Sequence, residues 1–403
     1  MAVELHNLEH KHLAALWTLA FRPFFLATAL WAALALAVWI LLFLTDNALP
    51  SRFDPLTWHI HAMLFGFVPA AIAGFILTAV PNWTGRPPIQ GTLLIGLVVL
   101  WLLGRIVCLI SAVLPLWPTA AIDVAFLVAL CAVVAREVVA ARNWRNVMMP
   151  FPIGVLAIAN LLMYLELAQV RVPAGIGWRI ALAAIIALVS AIGGRIIPAF
   201  TRNWLVACRA ARLPAAHDRI DSAALASLHT GLIAWAFFSH SQLVGMVLLL
   251  AAVLNFSRLA RWRGTATLRE PLLAILHLGY GWLALGAALL GVSLLSSLVP
   301  EAAAIHAFTT GAISIMILAV MTRVALGHTG RPLKADRITA LIYGAITLAA
   351  VTRISASFAG GFYFVLLVIS ALLWITSFLG FVWKYASILV SPRIDERTGF
   401  EQN

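Results

Sequence analysis

Charge is what this sequence has least of. Of its 403 residues only 10% are Asp, Glu, Lys or Arg, while 63% are hydrophobic and the mean hydropathy is +1.01. A soluble domain carries about 25% charge, so a water-soluble globular protein is excluded and a polytopic membrane protein is indicated. Cysteine is nearly as scarce. Cys108, Cys131 and Cys208 are too scattered for a disulfide framework or a thiolate metal cluster. Cys108 and Cys131 stand in apolar stretches and read as packing residues. Carboxylates inside the apolar stretches are few, chiefly Asp123 and Glu166, which argues against a proton-coupled carrier with an acid at mid-bilayer. Walker loop, dinucleotide fingerprint, Cys-x-x-Cys and zincin motif are all missing. The net charge of +12 does not point to nucleic acid. Its arginines fall in short loops beside apolar runs, where they set orientation and meet anionic membrane lipid. The first twenty residues hold no short apolar core followed by a cleavage site, so no removable signal peptide is expected.

What is present is a succession of apolar runs separated by Pro, Gly or Arg. Twelve spans are predicted, at 22–44, 58–80, 90–112, 119–140, 150–169, 177–200, 222–239, 243–260, 271–292, 302–326, 337–356 and 361–385. The expected fold class is all-α, a polytopic membrane helical bundle forming a single integral domain over 1–403. Loops after even-numbered spans carry Arg86; Arg136, Arg142 and Arg145; Arg202, Arg209, Arg212 and Arg219; Arg258, Arg261, Arg263 and Arg269; then Arg331, Lys334 and Arg337. Loops after odd-numbered spans carry little beyond Arg52 and Arg171. The positive-inside rule then puts both termini in the cytoplasm.

One segment occurs twice. His61-Ala62-Met63, Gly66 and Thr84-Gly85-Arg86-Pro87 return as His306-Ala307-Phe308, Gly311 and Thr329-Gly330-Arg331-Pro332, with 23 residues from His to Thr each time (84 − 61, 329 − 306). The stretch between the anchors is long enough to cross a bilayer, since ~20 residues at ~1.5 Å each span its hydrocarbon core. A weaker middle copy places Thr201 on Thr84, Pro198 on Pro81, Arg195 on Thr78 and Trp178 on His61. Spans 2, 6 and 10 would then be one element used three times, giving repeat units of roughly 15–140, 146–262 and 269–390. Membrane repeats commonly set a ligand site at the axis that relates them.

Imidazole at membrane depth is costly unless it binds something. His6, His10, His12 and His217 read as surface residues. His59, His61, His240 and His306 form an outer group; His229, His277 and His328 form an inner one. His61 and His306, duplicated at matched depth, are expected to converge on a metal, with His59 and Met63 assisting. Nitrogen and thioether ligands suit copper, and imidazole also suits haem iron. His277 lies among Gly279, Gly281 and Gly286, whose small size admits a close neighbour, either another helix or a flat macrocycle. It is the expected axial ligand, with His229 or His328 as partner. Arg105, Arg195, Arg323 and Arg353 lie within spans. Arg195 and Arg323, equivalent under the repeat, have no evident acidic partner; haem propionates would serve them.

Five motifs resemble the NnrS family. They are Phe21-Arg22-Pro23-Phe24-Phe25, Trp58-His59-Ile60-His61-Ala62-Met63, Pro81-Asn82-Trp83-Thr84-Gly85-Arg86-Pro87, His277-Leu278-Gly279-Tyr280-Gly281-Trp282 and Met321-Thr322-Arg323 running on to Gly327-His328-Thr329-Gly330-Arg331-Pro332. Ala62 departs from the pattern, standing where the family more often has glutamate, so no acid role is expected there. The resemblance implies a multi-pass protein of the bacterial inner membrane with haem b and copper. It also implies a link to nitric oxide and to the nitrosative stress that accompanies denitrification. Turnover, sensing and protection of cellular iron stay open, and a transporter of copper, an iron complex or a species derived from nitric oxide is the alternative.

Overall fold

The computed structural model describes residues 15–45 and 47–394, so His6, His10, His12 and the expectation about a signal peptide lie outside the described residues. All described secondary structure is helical. Among the described residues twelve helices are long and apolar enough to cross a membrane: α1 Phe21–Thr45, α2 Pro55–Thr84, α3 Gly91–Leu109, α4 Leu116–Ala140, α5 Trp144–Leu167, α6 Ile176–Ala207, α7 Arg219–Phe237, α8 Gln242–Arg261, α9 Pro271–Leu295, α10 Glu301–Gly327, α11 Arg337–Ala356 and α12 Gly360–Val390.

Their starts follow from local chemistry. Asp54 accepts from the amides of Leu56 and Thr57 ahead of Pro55, which opens α2. Asp218 and Asp221 form a reciprocal capping box at the head of α7. The ends of six helices share a second device. Just beyond α2, α4, α5, α6, α8 and α10 the chain turns through a left-handed residue: Gly85, Arg142, Gln169, Arg209, Arg263 and Gly330 respectively. Glycine takes that conformation freely; arginine does so at a cost of about 1 kcal/mol.

The largest departure from the predicted spans is α6, which runs to Ala207 rather than stopping near 200. Pro198 lies inside it and cannot donate to the carbonyl of Gly194. The Arg258 guanidinium lies against Gly194, where a Cβ would come within 2.0 Å of Nη2.

The described residues fall into two compact units. The first takes the described residues up to Ala181, Val320–Leu333 and those from Phe378 onward; the second takes Leu182–Ala319 and Lys334–Ser377. Within the first, α1 packs on α2, α3 on α4, and α4 on both α2 and α5. Within the second, α7 packs on α8, α8 on α9, and the start of α10 on α9 and α11. The two helices that carry the duplicated segment are the most enclosed. In their most apolar windows α2 is 83% buried and α10 72%, against 33–61% for the other ten.

Both duplicated helices are built alike. A short α-helical start ends on the histidine, His61 or His306; a π-helical stretch follows, Ala62–Phe67 or Ala307–Ile313; α-helix then resumes. A π turn frees main-chain carbonyls that hydrocarbon cannot satisfy. In α2 two indoles do so: Trp31 Nε1 donates to Ala62 O at 2.9 Å and Trp101 Nε1 to Gly66 O at 3.0 Å. In α10 two hydroxyls do so: Thr309 donates to Ile305 O at 2.9 Å and Ser314 to Thr309 O at 2.7 Å. Gly66 and Gly311 let an indole press onto each π turn, since a Cβ there would meet Trp31 at 2.4 Å or Trp282 at 2.9 Å.

Candidate functional site

His61 is fully buried at the junction of the α and π stretches of α2. Its Nε2 lies 2.9 Å from Asp123 Oδ2 on α4 and 2.9 Å from Asn160 Oδ1 on α5. Both neighbours are acceptors, so Nε2 carries a proton, and the lone pair of the neutral imidazole is on Nδ1. That nitrogen faces Cys108 Sγ, on α3, at 3.4 Å. Asp123 is held in turn by Arg105 on α3, by Asn160 Nδ2 at 2.9 Å and by the Tyr164 hydroxyl at 3.2 Å. Phe53 stacks on the imidazole at 5.1 Å between centroids, and Phe65 lies at the same distance. Every one of these side chains is buried.

The other expected copper ligands are placed separately. His59 is half-buried and stacks on Trp39, with centroids 4.3 Å apart. Met63 is half-buried in the first π turn. His306 belongs to the second unit and is half-buried; its Nδ1 donates to Ala302 O at 2.7 Å, which leaves the lone pair of its neutral form on Nε2.

The expected haem ligands differ in how open they are. His277 is buried, its Nε2 is 2.9 Å from the Thr201 hydroxyl, and its Nδ1 has no hydrogen-bond partner. Gly264 lies against that nitrogen, where a Cβ would come within 2.8 Å of it. His229 is half-buried, with Nε2 2.8 Å from Ser190 Oγ. His328 stands just past α10, half-buried beside the Phe21 ring at 5.7 Å, and neither ring nitrogen makes a hydrogen bond among the described residues. Burial, and then the neighbouring Arg393, hold its pKa below the ordinary imidazole value. Arg195 is exposed on α6 and Arg323 half-buried on α10.

A second buried polar cluster lies in the second unit. Arg258, counted among the loop arginines in the sequence, is instead 1% exposed near the end of α8. It pairs with Asp221 of α7 at 2.7 Å and donates to the Tyr280 hydroxyl at 2.6 Å, which donates on to Asn255 at 2.7 Å. Intramembrane carboxylates are therefore more numerous than the sequence suggested. Asp123, Glu137 and Asp221 are all buried in spans, each paired with arginine. No group of three or more His, Cys, Asp and Glu side chains that could hold a metal ion occurs among the described residues.

The motif residues outside the histidines have structural work. Arg22, buried, donates to the carbonyls of Leu389 at 2.8 Å and Ser391 at 2.5 Å, closing the end of α12. Ile394 N donates to Thr329 O at 3.2 Å, which ties the following segment to the TGRP turn. Partners such as Asp123, Asn160, Tyr164 and Cys108 carried no sequence signal beyond being polar residues in apolar runs.

Twelve apolar helices with buried charged networks at their core define an all-helical, multi-pass membrane protein. The family described as NnrS protein matches residues 15–393, and the chain belongs to it. No curated protein matches the chain. Family membership makes this a membrane protein of the nitric oxide response.

Proposed function

We propose that this protein handles nitric oxide in the bacterial inner membrane, through redox metals held by buried histidines. The reading is carried by His61. Its Nε2–H is fixed by a carboxylate while its lone pair is turned, inside a dry aromatic enclosure, toward a second donor atom. A carboxylate behind an imidazole is the usual outer support of a metal-ligating histidine. Copper is assigned to the histidines of the duplicated segment, His61 and His306 as ligands, with His59 and Met63 assisting. Haem b falls to the inner histidines. There the donor set favours His328, whose ring nitrogens are open, over His277, which Thr201 and Gly264 enclose; His229 is the remaining partner. Arg195 and Arg323 are the candidates for the propionates. Open-shell iron and copper bind nitric oxide where amino-acid side chains do not; the metals supply that chemistry when bound. The chain's own residues orient imidazoles, exclude water and neutralise charge.

The test is the visible spectrum and metal content of the protein purified from membranes. A Soret band in the reduced protein, shifted by added nitric oxide, is expected together with iron and copper. A colourless protein containing neither metal overturns the reading.

A further inference from the structure

The second donor atom that His61 Nδ1 faces is Cys108 Sγ, at 3.4 Å. We propose that Cys108 Sγ joins His61 Nδ1 as a copper donor, the two forming a nitrogen–sulfur pair that selects a soft monovalent cation, the cuprous ion. The inference rests on His61 being a metal ligand and adds the partner, the charge and the oxidation state that the site selects.

Three observations carry it. The donor set is one imidazole and one thiol, both buried, with the nitrogen lone pair and the sulfur facing each other at 3.4 Å. Thiolate with imidazole is a soft pair, and it favours cuprous ion over the hard divalent cations. The second observation is the support behind the imidazole. Asp123 and Asn160 occupy Nε2, so the ring cannot turn its lone pair elsewhere without breaking a buried carboxylate–imidazole contact. The third is charge. Arg105 and Asp123 already cancel, and both are buried. Cuprous ion entering with loss of the thiol proton makes a sulfur–copper and a nitrogen–copper bond, breaks the S–H bond and releases one proton to solvent. The enclosure stays neutral. A divalent ion taking the same two donors would leave a net positive charge in an apolar enclosure, which is costly. No change of oxidation state occurs in this step.

The present separation is that of an S–H···N hydrogen bond. Metal bonds of about 2.0 Å to nitrogen and about 2.3 Å to sulfur need more room, so loading opens the pair, a movement within reach of the Cys108 side-chain torsion.

The experiment titrates the copper-free, full-length protein with cuprous ion alone, against a coloured cuprous chelator, with proton release followed by an indicator. Wild type is expected to bind with release of one proton. Cys108→Ser should weaken binding by more than tenfold, because loss of an outer-shell partner alone costs about 10–100-fold, and should abolish proton release. Cys131→Ser should change neither. X-ray absorption at the copper edge should show a sulfur neighbour at about 2.3 Å in wild type. This reading of the wild type holds even if Cys108→Ser fails to fold. Binding that survives in Cys108→Ser, or a first shell with nitrogen alone, overturns the assignment. If His306→Ala abolishes binding while Cys108→Ser retains it, Cys108 is excluded and the histidine reading stands. Wild type that binds no cuprous ion overturns both.

Discussion

Asp123 is the residue on which most of the first unit's buried polar contacts meet: Arg105, His61, Asn160 and Tyr164 all reach it. Asp123→Asn keeps the shape and removes the charge, leaving a buried guanidinium without its counter-ion. Breaking such a pair costs about 3–5 kcal/mol. Thermal unfolding in detergent should register a loss of that order, and a loss below about 1 kcal/mol would contradict the role given to the pair. A second titrating group lies outside the spans. The hydrogen bond from Arg261 holds exposed Asp218 well below the usual carboxylate range, at about 2. The unfolded chain binds that proton more readily, so this contribution to stability is present above about 3.8 and is lost as the pH falls toward 2. Asp218→Asn should flatten the part of the acid-side melting profile between those limits; an unchanged profile would count against the pairing. At this scale the histidines were legible in the sequence, because imidazole in an apolar run is conspicuous. Their partners were not. Asp123 is 62 residues from His61 (123 − 61) and on another helix, and no local pattern records which polar residue a fold will bring to which. Arg258 was mistaken for a loop charge because sequence cannot separate the last turn of a helix from the loop after it.

Among the elements, helix positions were the most legible feature. The predicted span at 337–356 coincides with α11, since apolar length and flanking charge determine a membrane helix almost alone. The π stretches were invisible, because their cause is tertiary: Trp31 and Trp101 reach across to satisfy the carbonyls that the wider turn frees. Deleting one residue within 62–67 should restore α-helical register and rotate His61 by about 100° relative to the rest of α2. The expected result is a folded, monodisperse protein that has lost copper; retained copper would show that the π turn does not position His61. The left-handed arginines offer a simpler test. Arg142→Gly, Arg209→Gly and Arg263→Gly should each stabilise by about 1 kcal/mol, through relief of the backbone alone. No gain, or a loss, would mean that the arginine side chains contribute more than that strain costs.

For the whole molecule, composition sufficed to give the class and twelve spans. The duplicated segment pointed to the two helices that proved most buried. What sequence could not give was the identity of the donor atoms, since these are fixed by hydrogen bonds that pin one ring nitrogen and expose the other. The account depends on imidazoles in those helices holding a metal. Copper and iron quantified per chain in wild type and in His61→Ala, purified in parallel and both shown to be folded, tests it most directly. Copper should be present in wild type and fall to background in the variant while iron persists. Equal copper in the two proteins would contradict the account.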